Sequence, residues 1–200
     1  MATKSQDQKL IYRIFSTAVF AVTAGFPGTP AGASGYIPEI LTSSFVDEFR
    51  LGVDHMDEQE KKGSTYLNFE VLFRRPNVYY NNRFLLFFLN PRFHIGGHLS
   101  LSGDTSQAYA GATWDYRLTN NLFAEASFGG GIHDGKLKQR TTATGRYLGC
   151  RVLFRESASV GYEFTENLRF MITIDHMSNA GLCSNNDGLS TFGARIGYKF

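Results

Sequence analysis

The sequence has no long hydrophobic run. A helix needs ~18 to 20 consecutive apolar residues to cross a bilayer, and residues 14–26, the longest apolar stretch, fall short of that. Charge of one sign is lacking too. Twenty Lys and Arg stand against eighteen Asp and Glu. The surplus lies in residues 1–33, where Lys4, Lys9 and Arg13 outnumber Asp7. From residue 34 onward the signs balance, so no basic stripe is left for nucleic acid, and none is expected as a partner. Cysteine is scarce. Cys150 and Cys183 can pair in an exported chain or remain as two thiols, and their spacing leaves both outcomes open.

What is abundant is aromatic: eighteen Phe and ten Tyr in 200 residues. These are spread by alternation rather than gathered in blocks. The N-terminus is the exception. Lys9 and Arg13 flank the apolar run 14–26, and Ala31-Gly32-Ala33 has the small-x-small form of a cleavage site. Pro27 and Pro30 would break a continuing helix. Residues 1–33 are therefore expected to be a signal peptide and 34–200 the mature domain.

Period-two alternation marks eight strands, over 45–55, 66–74, 93–101, 108–118, 122–130, 148–164, 168–178 and 190–200. Each has about the length of a tilted membrane strand, ~9 to 11 residues. Residues 78–91 are ambiguous, because Leu85 to Leu89 suit a short buried run of either type. Glu156 falls on the apolar side of its strand, which suggests a bulge there. Tight turns at 118–122 and 164–168 alternate with longer loops at 133–145 and 179–189.

The polar faces decide which side is inside. They carry Glu48, Arg50, Glu70, Asp115, Arg117, Glu125, Arg151, Arg169, Asp175, Arg195 and Lys199. Facing lipid, a basic charge near the midplane would cost ~2 to 4 kcal/mol. Facing a narrow lumen, charges of both signs can pair. The expected fold is all-β, an eight-stranded antiparallel transmembrane β-barrel of the outer-membrane type. A soluble sandwich, with those charges in water, is the competing reading. A terminal aromatic, Phe200, suits the barrel. A mature N-terminus in the periplasm would make the seventh strand end near the cell surface.

That strand holds the chemistry. Its face of Leu168, Phe170, Ile172 and Ile174 ends in His176 and Ser178. Residues i and i+2 share a face, roughly 7 Å apart between Cα atoms. A neutral imidazole there can take the proton of a hydroxyl as it attacks an ester carbonyl. On composition alone the plainer reading prevails: His, Ser and Asn are ordinary at a membrane interface and loop start. His94 and His98, at i and i+4 on a strand, are too far apart for a tight metal site and are read as polar lumen residues.

The run His176-Met177-Ser178-Asn179-Ala180-Gly181-Leu182, followed by Asn186-Asp187-Gly188-Leu189 and Gly197-Tyr198-Lys199-Phe200, resembles the lipid A 3-O-deacylase (PagL) family. Residues 148–157 and 109–114 look similar to it as well. The resemblance implies an outer-membrane carboxylic ester hydrolase that removes the acyl chain at the 3-position of lipid A, with lipopolysaccharide as substrate and no cofactor or metal. His176 would be the general base and Ser178 the nucleophile. Asn179 would support an oxyanion site, with the Ala180 and Gly181 amides as donors. The family's acidic residue falls at Ser190 here, which offers a hydrogen bond without charge. Asp187 and Glu156 are the other candidates for that acid. A non-enzymatic barrel of structural or surface-binding function is the alternative. The oligomeric state, monomer or homodimer, stays open.

Overall fold

The computed structural model describes residues 45–56, 63–76, 78, 81–138 and 146–200. The signal-peptide reading of residues 1–33 lies outside them. The described chain forms eight strands: β1 (Val46–Met56), β2 (Ser64–Phe73), β3 (Arg92–Ser100), β4 (Gln107–Arg117), β5 (Leu122–His133), β6 (Val152–Glu163), β7 (Leu168–Ser178) and β8 (Leu189–Lys199). Each pairs antiparallel with the next, and β8 returns to pair with β1, closing the barrel. Closure leaves no free strand edge, so every strand can satisfy its backbone within the wall.

Alternation along each strand sorts side chains to two surfaces. Outward go Phe93, Ile95, Leu99, Phe128, Val160 and Ile174, each at least half exposed. Inward go Glu48, Arg50, Glu70, Arg92, Glu125, Arg155, Arg169, Asp175 and Arg195, all buried. A soluble protein would reverse this arrangement, so the outer wall is a surface for hydrocarbon. The interior charges are paired. Arg50 bonds Glu48 at 2.8 Å and Glu70 at 3.0 Å, while Arg169 bonds Glu163 at 3.1 Å. Nearer the other end, Asp175 pairs with both Arg155 and Arg195. An eight-stranded barrel is filled by such side chains and leaves no wide channel. Phe123, out of place in a polar lumen, lies under the Arg169 guanidinium, 4.2 Å from ring centroid to Cζ. It fits because Gly161 opposite has no side chain, where a Cβ would lie 2.3 Å from the ring.

Three sequence expectations need correction. The ambiguous run 78–91 includes a short helix, α1 (Arg83–Leu89), at the end of the tight turns. Leu85, Phe88 and Leu89 are exposed on it rather than buried, and the Phe88 carbonyl accepts a hydrogen bond from Trp114 Nε1 at 3.0 Å. β6 begins at Val152, not at residue 148. Leu148 and Gly149 instead fold back onto the β5–β6 loop through hydrogen bonds to the Lys136 and Leu137 carbonyls. Arg151 therefore lies outside the lumen and donates to the His133 and Gly135 carbonyls. Finally, β6 has no bulge. Its pairing with β5 and with β7 is in continuous register through Glu156, whose side chain is exposed on the outer wall. The shift in register falls in β1 instead, between Val46 and Glu48.

Candidate active site

β7 sends Arg169, Met171, Thr173, Asp175 and Met177 into the lumen. Leu168, Phe170, Ile172, Ile174, His176 and Ser178 therefore face outward. His176 and Ser178 are partly buried on that outer face. In register, His176 lies opposite Glu156 on β6 and opposite Ser190 on β8. Ser178 lies opposite Phe154. One row across the wall thus reads Glu156, His176, Ser190.

His176 Nδ1 is 2.8 Å from Ser190 Oγ. This contact turns the ring so that Nδ1 faces β8. The Cε1 edge lies toward Gly188, where a Cβ would stand 3.0 Å from His176 Cε1 and 3.6 Å from Nε2. Gly188 has φ +64°, a backbone conformation that costs most other residues ~1 to 2 kcal/mol. Its glycine identity thus serves both the turn and the space beside the imidazole. Ser178 Oγ and the imidazole share the face, but no hydrogen bond joins them.

The loop after β7 is built around Asn179, which is 2% exposed. Its side-chain amide donates to the Leu148 carbonyl at 2.8 Å and the Asn185 carbonyl at 2.5 Å. Its side-chain oxygen accepts from Gly181 N at 2.9 Å and Cys183 N at 3.4 Å. Asn179 is thus fully engaged inside the loop, and so is the Gly181 amide. The Ala180 N–H has no hydrogen-bond partner among the described residues. Ala180 also holds a φ of +53°, the one positive value at a non-glycine residue among those described. A disulfide between Cys150 and Cys183, with Cα atoms 5.9 Å apart, ties this loop to the segment before β6. Gly149 beside it allows the close approach, since a Cβ would lie 2.1 Å from the Asn185 carbonyl oxygen.

Of the acids considered, Asp187 is directed away from the imidazole. Its carboxylate accepts from Tyr147 N at 2.6 Å, and its own N–H donates to the Tyr147 carbonyl at 3.2 Å. Glu156 is the acid next to His176 in register. Sequence reading offered Glu156 as a candidate acid beside Asp187, without its register to His176, because a bulge was expected there. It missed the two roles of Gly188 and the loop-building role of Asn179. The Asn-Asp-Gly turn was the available signal for the first.

The lumen holds a separate cluster, Asp54, His98 and Asp175, whose ligand atoms are close enough to hold a cation. Arg195 already supplies positive charge there, 3.5 Å from Asp54 and in contact with Asp175. His94, bonded to Thr113 at 2.9 Å, likewise serves the lumen packing.

A closed eight-stranded antiparallel wall with an apolar exterior and a charge-paired interior defines an outer-membrane-type β-barrel. Residues 85–199 match the family model described as lipid A 3-O-deacylase (PagL), and the chain belongs to that family. Among solved structures it resembles the outer membrane enzyme PagL, at 14% identity and a TM-score of 0.57 over 76% of this chain and 99% of that one. It is also similar to a de novo designed transmembrane β-barrel, at 12% identity and a TM-score of 0.45 over 77% of this chain and 96% of the other. A third similar structure is the Yersinia pestis outer membrane protein Ail in a phospholipid nanodisc, at 13% identity and a TM-score of 0.44 over 78% and 99%. No curated protein matches the sequence.

Proposed function

We propose that this chain is a serine esterase of the outer membrane that hydrolyses the acyl chain esterified at the 3-position of lipid A. The reading rests on one observation: His176 and Ser178 share the hydrocarbon-facing side of β7, and the imidazole is oriented by Ser190. A lipid substrate lying against the wall reaches these groups without leaving the membrane. Ser178 Oγ attacks the ester carbonyl, and His176 takes its proton. The Ala180 N–H, which has no partner in the loop, donates to the oxyanion. Asn179 supports that donor by fixing the loop's shape, and it holds the Gly181 amide in the same turn. His176 then passes its proton to the departing sugar oxygen, and water releases the fatty acid from Ser178 in a second round of the same chemistry. None of these steps uses a cofactor. In the same reading, residues 1–33 direct export and are removed.

Mass spectrometry of lipid A from cells with and without the protein tests this. The expected result is loss of one 3-hydroxyacyl chain from lipid A, abolished by Ser178→Ala. Unchanged acylation in cells that carry the folded protein would overturn it.

A second reading, a barrel without enzymatic activity, draws on the lack of any carboxylate hydrogen-bonded to His176 among the described residues. It expects His176→Ala to leave lipid A and every cell-surface property unchanged.

A further inference from the structure

We propose that Glu156 is the positioning acid of this site, taking from β6 the part that Ser190 cannot play from β8. The inference rests on the esterase reading and concerns how its base is charged.

The register puts Glu156 directly opposite His176 on the same outer face. Side chains so paired have Cβ atoms ~4.5 to 5.5 Å apart, within reach of a long carboxylate and a ring. The setting of Glu156 is otherwise apolar. Phe128 lies opposite it on β5, and Phe154 and Ala158 flank it on β6. Glu156 is the one carboxylate on the outward faces of the described strands; Asp47, at the register shift of β1, is bonded to the buried Arg92 at 3.0 Å. Glu156 is exposed and has no ion pair or hydrogen bond among the described residues. A lone carboxylate on a lipid-facing wall is costly, and no packing among the described residues offsets it. Among those residues, the imidazole beside it is the one group there that can become a cation.

The two neighbours of His176 thus divide the work of one acid. Ser190 fixes the ring through Nδ1 and carries no charge. Glu156 supplies the negative charge that favours imidazolium as Ser178 loses its proton. The other elements around the ring do not compete for this role. β8 presents Ser190 and Phe192, both uncharged. The β7–β8 loop presents Gly188 and Asp187, whose carboxylate is bonded to Tyr147 N. Arg146, before β6, donates to the Gly188 carbonyl at 3.0 Å, and its positive charge would lower the imidazole's proton affinity, not raise it.

The test uses the full chain in detergent micelles with lipid A as substrate. Glu156→Gln is expected to lower kcat ~10- to 100-fold, less than the ~10⁴ seen when a hydrogen-bonded triad acid is altered, with KM changed little. Loss of the carboxylate makes imidazolium less favourable, so the acid limb of the pH–rate profile moves to lower pH. Glu156→Asp keeps part of the activity, and Ser190→Glu in the Glu156→Gln background restores kcat by returning a carboxylate to the ring. NMR titration of His176 in Ser178→Ala protein reads the pairing without turnover. The ring is expected to titrate at lower pH in Glu156→Gln than with Glu156 in place. An unchanged His176 pKa overturns the assignment whether or not the wild-type chain is active. Absent turnover in the wild type with a shifted pKa would overturn the esterase reading alone. An unchanged kcat and pH profile in an active enzyme would overturn this inference alone.

Discussion

His176 makes its hydrogen bond sideways, to Ser190 Oγ on the neighbouring strand at 2.8 Å, and none to Ser178 two residues along its own. The ring is thus held by the barrel wall itself, whose register fixes His176 opposite Ser190. Such a bond selects one tautomer and one ring orientation. Ser190→Ala should therefore lower kcat ~10- to 100-fold while leaving the barrel intact, since an exposed hydroxyl on the outer wall adds little to stability. Kinetics beside a melting curve separate the two effects. Wild-type kcat in the Ala variant would show that the ring needs no partner on β8.

Gly188 gives a second handle on the imidazole. Its φ of +64° and the 3.0 Å that would separate an added methyl from His176 Cε1 act together in Gly188→Ala. Backbone strain of ~1 to 2 kcal/mol should lower stability modestly. The methyl should also displace the ring from its place beside Gly188 and lower kcat at least ~10-fold. Gly188→Asn tolerates the backbone better but fills the same space. It should therefore regain stability without regaining activity, which thermal melts and acyl-release assays on both variants would show.

The disulfide should matter more to the loop than to the barrel. Cys150 and Cys183 close a loop of 33 residues, and a cross-link of that span stabilises by at most ~3 to 4 kcal/mol through the unfolded chain. It also clasps the segment around Asn179, whose amide reaches across to the Leu148 carbonyl. Cys150→Ser/Cys183→Ser is expected to keep the strand signal in circular dichroism. The Gly181 amide and that of residue 183, both bonded to Asn179 Oδ1, should exchange with solvent faster, and kcat should fall. Unaltered exchange at these amides would show that Asn179 holds the loop without help.

Strands and their facing were legible because one physical rule governs both. Alternation fixes which residues share a face, and the charges Glu48, Arg50, Glu125 and Arg195 can only be inside a wall whose other face holds Phe93, Ile95 and Val160. His176 and Ser178 were legible through the same parity and through a short run of family-like residues. Three places were not. Leu85 to Leu89 are apolar at every position, so neither period shows, and the exposed rim helix had no signature. Leu148 has the parity of a strand residue, but the disulfide and the Asn179 hydrogen bonds pull 148–151 into the loop. Glu156 broke the expected pattern, and a bulge was the structural way to repair it. The strand stays regular instead, and the charge stays on the apolar face beside His176. A local rule broken without structural repair is a mark of function.

The lumen gives the clearest test of what holds the wall together. Glu125 Oε1 accepts from three guanidiniums, those of Arg50 at 2.8 Å, Arg92 at 2.7 Å and Arg169 at 3.0 Å. These come from β1, β3 and β7, so one carboxylate on β5 joins strands on opposite sides of the barrel. Glu125→Ala leaves three buried cations to share Glu48, Glu70 and Glu163. Removing one member of a buried pair typically costs ~3 to 5 kcal/mol, because the partner charge is left without compensation. Glu125→Ala should therefore lower the urea midpoint sharply in micelles or vesicles. Adding Arg92→Ala removes one of the stranded cations and should recover part of the loss, which a double-mutant cycle would measure. Activity at 25 °C in the surviving folded fraction should be unchanged, because Glu125 is in register with Asp115 and Ser159, and Ser159 in turn with Thr173. That row lies three residues along β7 from His176, with Glu125 on the opposite side of the wall. If Glu125→Ala instead unfolds no more readily than wild type, the lumen is wet enough to screen its charges, and the barrel owes its stability to the backbone ladder and the lipid-facing side chains alone.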